Sequence, residues 1–252
     1  GLHVGLARLP LVELDQQLAR LGVAAFIAVK VPENGAIVLN RRDPNVAPVI
    51  AATSAHVLDY SECLEFSRPL PVPGFHNRMN AAAAMTTARF LGIAPETVYR
   101  ALDHFAGTAR RFEYKGDVHG APVYDEYAHH PTEIDAAIAG ARERHPGKRV
   151  TVIFEPHTHS RTDTLFADFV SSLSKADRVL LVPVYEARSE AAVSRESSET
   201  LAAAVQKQGT DATFFHTLNA AGLAAKESVT SDDVVLVMGA GGVTKVATYL
   251  TS

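Results

Sequence analysis

From residue 122 onwards the chain has a regular rhythm. Short runs of β-branched and aliphatic residues stand at 122–124, 150–154, 179–184, 213–215 and 234–238. Between them lie amphipathic stretches at 131–144, 162–175, 197–208 and 218–226, and 243–250 closes the series. Strand-length runs alternating with helical stretches predict βαβ units and a mostly parallel sheet. The expected fold class is therefore α/β, doubly wound, with ligands bound at the carboxyl ends of the strands.

The first hundred residues are less regular. Residues 36–40 read as a strand ending in a polar stretch, 46–53 as a helix and 56–60 as a second strand. Apolar residues at 11–21 follow helical spacing. An alanine-rich helix is predicted at 81–91, closed by Gly92, and another at 95–105 with Pro95 at its start. A domain boundary is expected near Gly107, dividing the chain into 1–106 and 107–252.

Composition narrows the function classes. The 252 residues carry 24 Lys+Arg against 28 Asp+Glu, a formal charge of −4, so the basic excess of a general nucleic-acid or membrane-surface binder is missing. With 47 % apolar and 21 % charged residues the chain is expected to fold as a globular protein. Cys63 is the single cysteine, which excludes an intramolecular disulfide and fits a cytoplasmic location. No apolar run approaches the roughly 20 residues of a membrane span.

Candidate chemistry collects where predicted strands give way to helices. Two of the eleven histidines, His129 and His130, stand in Asp125-Glu126-Tyr127-Ala128-His129-His130-Pro131-Thr132-Glu133. His157 and His159 stand in Glu155-Pro156-His157-Thr158-His159-Ser160-Arg161-Thr162. A helix start there offers free N–H groups to an anion; the plainer reading of each cluster is a capped strand-to-helix turn. Zinc is disfavoured, because neither histidine pair has i, i+4 spacing and Cys63 has no second cysteine. A serine hydrolase is disfavoured by the absence of a Gly-x-Ser-x-Gly elbow. Gly239-Ala240-Gly241-Gly242 matches neither the dinucleotide fingerprint nor a phosphate loop and reads as a tight turn. Asn77 and Asn80, three apart, can share one face of a helix start and offer amides to a purine edge, or Asn77 simply caps the helix. Arg110-Arg111 suits phosphate recognition, or forms a solvated pair.

Together, Gly74-Phe75-His76-Asn77-Arg78-Met79-Asn80, Phe105-Ala106-Gly107 with Arg110-Arg111-Phe112-Glu113, the Asp125–Glu133 segment, Pro156-His157 through Arg161-Thr162 and Met238-Gly239-Ala240-Gly241 resemble the Mur ligases. These are ATP-dependent amide-forming enzymes of peptidoglycan synthesis. The Tyr-Ala-His-His-Pro-Thr-Glu form looks most like the branch that joins L-alanine to UDP-N-acetylmuramate. The resemblance implies a Rossmann-like C-terminal domain over 107–252, preceded by a remnant of the central ATPase domain over 1–106. It implies ATP and Mg²⁺ as cofactors, and UDP-N-acetylmuramate and L-alanine as substrates. His76, Asn77 and Asn80 would face adenine, Arg111 the phosphates and Asp125 the ribose. Tyr127, His129, His130, His157 and Arg161 would bind phosphates or orient substrate, with Arg111 and His129 closest to the chemistry. In the family a carboxylate attacks the γ-phosphate, and an amine displaces the resulting acyl phosphate.

The departures carry expectations too. The family's phosphate loop, with its Lys-Ser/Thr, occurs nowhere in the sequence, and the chain opens on Gly1. The chain is therefore expected to be the C-terminal part of a longer ligase, inactive alone, with missing domains as possible partners. Thr158 stands where an arginine is common and His159 where a tyrosine is. Two alternatives stay open: a non-catalytic binding module derived from such a ligase, and a ligase for a different amino acid or peptide.

Overall fold

The computed structural model describes residues 31–63, 69–185 and 197–252. The helical spacing noted at 11–21 lies outside the described residues. The chain divides into two units: residues up to Leu70 together with His76–His104, and Pro71–Phe75 together with Phe105–Ser252.

In the first unit β1 (Ala36–Leu39) pairs in parallel with β2 (His56–Asp59). Between them Asp43 caps a 3₁₀ turn by accepting the Asn45 N–H at 2.9 Å, and α1 (Ala47–Ala52) follows. The alanine-rich helix α2 runs over Phe75–Phe90, starting six residues earlier than the pattern predicts. Gly74, at φ 98°, turns the chain, and nothing between Phe75 and Asn80 breaks a helix once that turn is made. Ala81, Ala82, Met85 and Ala88 line its buried face, spaced for one side of a helix. Helix α3 (Pro95–Asp103) begins on its proline, as expected.

The described residues of the second unit form a six-stranded sheet in the order β3-β4-β8-β5-β6-β7. The strands are β3 (Glu113–Val118), β4 (Ala121–Glu126), β5 (Arg149–Phe154), β6 (Arg178–Leu181), β7 (Asp211–Phe214) and β8 (Asp233–Met238). All neighbours pair in parallel except the β3–β4 hairpin. The mostly parallel α/β fold is therefore as expected. The pattern misses β3 because that edge strand, Glu-Tyr-Lys-Gly-Asp-Val, is polar and interrupted by Gly116.

Alternation along the strands divides the core in two. Val150, Val152, Phe154, Val179, Leu181, Val234, Leu236 and Met238 face α4 (Pro131–Arg144), α6 (Phe166–Leu173) and α7 (Ser198–Lys207). Ile153, Leu180, Val235 and Val237 face α8 (Leu218–Ser228) and α9 (Thr244–Leu250). Phe154, Phe169, Leu173 and Leu201 are fully buried, each contributing about 1.5–3 kcal/mol relative to exposure. The single helix predicted over 162–175 is two: α5 (His159–Thr164) and α6, broken at Leu165. Leu165 and Phe166 both pack on the core. The backbone at Leu165 leaves helical values, at φ −109° and ψ 21°, and that departure separates the two helices.

Helix starts follow their sequence signals. Pro131 opens α4 behind His130, with Glu133 completing a capping box. Ser197 and Thr217 cap α7 and α8. Among the described residues no helix is long and apolar enough to cross a membrane.

The amino ends of β5 and β8 are tied by Asp233, which is 3 % exposed. It accepts the Arg149 guanidinium at 2.8 Å, the Thr230 N–H at 2.9 Å and the Thr230 hydroxyl at 3.1 Å. Burial alone would raise its pKa, but these donors outweigh it and hold the carboxyl below its ordinary 3.8. A depressed carboxylate contributes stability that is complete above the unfolded-state pKa and is lost as pH falls through the lower folded-state value. Asp233→Asn is expected to cost about 1–3 kcal/mol at pH 7. In denaturant titrations from pH 7 down to pH 2, the gap between variant and parent should close in the acid limb.

Candidate active site

The order of the sheet places β8 between β4 and β5, and α9, after β8, packs on one face while α4 and α6, after β4 and β5, pack on the other. The segments that follow the three strands therefore part at a topological switch point, which opens a crevice there. Three buried carboxylates line it: Asp125 at 1 % exposure, and Glu126 and Glu155 at 5 % each.

Asp125 Oδ2 accepts the Thr244 hydroxyl at 2.5 Å and lies 3.6 Å from Arg110 Nε. Its other oxygen, Oδ1, is buried and has no hydrogen-bond partner among the described residues. A buried carboxylate oxygen left unmatched is costly, which makes it a natural acceptor for a ligand hydroxyl. The Arg110 guanidinium also donates to the carbonyls of Gly239 and Ala240, so it joins β4 to the glycine loop.

Glu126 fastens the turn that enters β3. Its Oε2 accepts the Phe112 N–H at 2.8 Å and its Oε1 the Ala128 N–H at 3.1 Å. Burial pushes its carboxyl up, while these N–H donors and the Arg111 charge pull it back. Arg110 and Phe112 both adopt left-handed backbone, at φ 57° and 52°, a conformation that costs non-glycine residues of order 1 kcal/mol or more. The offsetting bonds are specific: Arg110 N–H to Glu113 at 2.8 Å, Phe112 N–H to Glu126, and Tyr127 N–H to the Arg110 carbonyl at 2.7 Å.

Glu155 holds the opposite wall. It accepts the Val243 N–H at 3.0 Å. Burial raises its pKa, opposed by the Val243 and Gly242 N–H groups, Arg110 and Lys245. Two glycines of this loop, Gly239 and Gly241, are sterically required. A Cβ on Gly241 would lie 2.5 Å from Glu155 Oε2 and 2.5 Å from the Tyr185 ring, and one on Gly239 would lie 2.7 Å from the Glu155 carbonyl. Met238–Lys245 is thus more than a turn: it is packed against Glu155 and bonded to Asp125 through Thr244.

An imidazole and tyrosine cluster completes the crevice. The His129 ring meets Tyr127 edge-on at 5.3 Å and His157 at 5.8 Å, and His157 stacks on Tyr185 at 5.7 Å. His129 Nδ1 lies 3.0 Å from the Tyr127 carbonyl and 3.3 Å from Glu133. The Arg110 and Arg111 guanidinium carbons lie 5.0 Å and 5.2 Å from the Tyr127 ring centre, within cation–π range. Arg111 also approaches Glu126 at 3.9 Å and Glu133 at 3.8 Å. Arg161 lies 3.4 Å from His157 Nδ1. Before it Thr158 sits at φ 68°, an outlier for a β-branched residue.

Asp125, Tyr127, His129, His157, Arg161 and Arg111 thus come together at one end of the sheet. His130 is spent differently, as the cap of α4, with Nδ1 3.0 Å from the Thr132 hydroxyl. Asn77 and Asn80 lie one turn apart within α2 of the first unit, so Asn77 is not the helix cap. The side chain of His76 lies outside the described residues. Sequence reasoning overlooked Glu155 and Thr244 and preferred Arg111 to Arg110. For Arg110 and Thr244 the signal was only proximity to strand ends.

The Mur ligase glutamate ligase domain model matches residues 110–241, just over half of the chain. The chain is 38 % identical over 181 residues to the UDP-N-acetylmuramate–L-alanine ligase of Desulfitobacterium hafniense, covering 72 % of this chain and 40 % of that protein. It is 50 % identical over 125 residues to the enzyme of the same name from an Arthrobacter species, covering 50 % of this chain and 27 % of that one. The crystal structure of the Thermotoga maritima UDP-N-acetylmuramate–alanine ligase superposes with a TM-score of 0.60 at 30 % identity, over 72 % of this chain and 38 % of that one. The chain spans well under half the length of these relatives. By the domain it matches and the fold it shares, this chain belongs to the Mur ligase family.

Proposed function

We propose that the chain supplies the C-terminal part of a cytoplasmic, ATP-dependent ligase that joins L-alanine to UDP-N-acetylmuramate. The observation that carries this reading is the buried, unmatched Asp125 Oδ1 beside Arg110, Arg111 and the His129–His157 pair. An acceptor of that kind fits the hydroxyls of a nucleotide ribose, and the adjacent guanidinium groups fit its phosphates. The family membership and the identities to alanine-adding ligases support the choice of substrate.

ATP, when bound, supplies the phosphoryl group that activates a carboxylate. The chain's own residues bind and orient. Asp125, held by Thr244, takes the ribose hydroxyl. Arg111, on the rim of the crevice, offsets phosphate charge. His129, steadied by Glu133 and the Tyr127 carbonyl, is placed with His157 and Arg161 to orient the substrate, and Tyr127 holds both arginines in place. His76, Asn77 and Asn80 are assigned to adenine by the family resemblance alone. Catalysis in this reading is mainly positioning and charge stabilisation. Among the described residues no cluster of three His, Cys, Asp or Glu side chains could hold a metal ion, and Mg²⁺ is assigned to none of them.

Two outcomes are expected. In calorimetry ADP should bind the chain weakly, and Asp125→Ala should weaken that binding by about tenfold; equal affinity would remove Asp125 from the ribose. Because no phosphate loop occurs in the 252 residues, the chain alone should form no ADP from ATP, UDP-N-acetylmuramate and L-alanine in a coupled assay. Turnover by the purified chain would overturn that reading.

A further inference from the structure

A second polar cavity opens towards the far end of β4. It measures about 410 Å³ and is lined by Tyr114, Asp117, Tyr124, Arg144, His145 and Lys148, among others. Three of these are basic and follow one another at the carboxyl end of α4. Their neighbour Arg142 is accounted for, paired with Asp177 at 3.0 Å. Among the described residues Arg144 and Lys148 are not ion-paired. The first reaches only the Pro71 carbonyl at 3.5 Å, and the second donates to the Ser231 carbonyl. The one carboxylate in the lining, Asp117, already accepts the Tyr114 hydroxyl at 2.8 Å.

His145 stands between these groups. Its Nε2 lies 2.9 Å from the Tyr124 hydroxyl. Burial, with the charges of Arg144 and Lys148, holds the ring below its ordinary pKa, and Asp117 opposes them only in part. The groups facing it are therefore the two cations on its own segment, Tyr124 on β4, and Asp117 on β3. A planar guanidinium fork, an ammonium, an imidazole and a phenol on one cavity wall are a donor-rich set short of an acceptor. An arriving anion would offset the two cations and allow the imidazole to take up a proton.

We propose that this cavity is a binding site for a phosphate group, free or as a simple monoester, held by Arg144, Lys148 and His145 and separate from the crevice at the carboxyl ends of the strands. The site needs no nucleotide and does not rest on the ligase reading. Because His145 gains a proton on binding, affinity rises as pH falls through the imidazole range.

The test uses the full chain and calorimetry with inorganic phosphate and with glycerol phosphate, plus sulfate for the pH series because its charge stays constant. One saturable site is expected, with sulfate bound more tightly at pH 6 than at pH 8. Arg144→Gln and Lys148→Met should each weaken phosphate by about tenfold. His145→Gln should remove the pH dependence, and Arg100→Gln, an exposed control on α3, should change nothing. Should Lys148→Met unfold because the Ser231 contact is lost, Arg144→Gln and the NMR titration of the His145 ring still decide. Glycerol phosphate binding as well as inorganic phosphate supports a monoester ligand, and phosphate alone a free anion. Absence of saturation overturns the proposal, as does loss of phosphate binding with Arg111→Ala but not with Arg144→Gln.

Discussion

Three buried carboxylates at one end of a parallel sheet impose the constraint from which the rest of the crevice follows. An acid taken out of water needs donors, and at strand ends the nearest donors are backbone N–H groups of the loops. Glu126 takes those of Phe112 and Ala128, and Glu155 that of Val243. Asp125 takes a hydroxyl, and Arg110 spans it and the glycine loop. The loops are therefore fixed by what the acids demand. The left-handed turns at Arg110 and Phe112 are tolerated because the same bonds offset their strain. Among the described residues one acceptor of the three acids, Asp125 Oδ1, is left over, and it points to what a ligand would bring.

The parts of the fold that come from side-chain periodicity could be read in the sequence. Val150–Phe154 and Val234–Met238 are continuous apolar runs because both faces of a parallel sheet are covered. Capping residues marked the starts of α4 and α7. What stayed hidden depended on pairing rather than pattern. β3 is an edge strand with one polar face, so its composition resembles a loop. The break at Leu165 is a departure of the backbone from helical values, which the spacing of apolar residues does not disclose.

The site divides in the same way. Asp125, Tyr127, His129, His157 and Arg161 stood out because unusual residue types cluster at strand ends. Glu155 did not, because its partners are main-chain N–H groups that leave no trace in side-chain identity. The two arginines at 110 and 111 are equivalent as letters. Only the left-handed turn at Arg110, which sends its guanidinium inward to Asp125 while that of Arg111 lies half-exposed, distinguishes them.

The β3–β4 hairpin bears on how the molecule behaves in company. A sheet edge is an open template for strands from other chains. At this edge the register slips between Tyr114 and Gly116, which bends the ladder, and Glu113, Lys115 and Asp117 set charge along it. Behind the bend, Gly116 rests against the Thr251 side chain of the closing segment, where a Cβ would come within 3.1 Å. An irregular, charged and backed border is a poor partner for edge-to-edge growth. The hairpin that escaped the hydrophobic pattern therefore disfavours strand addition at this one border of the sheet.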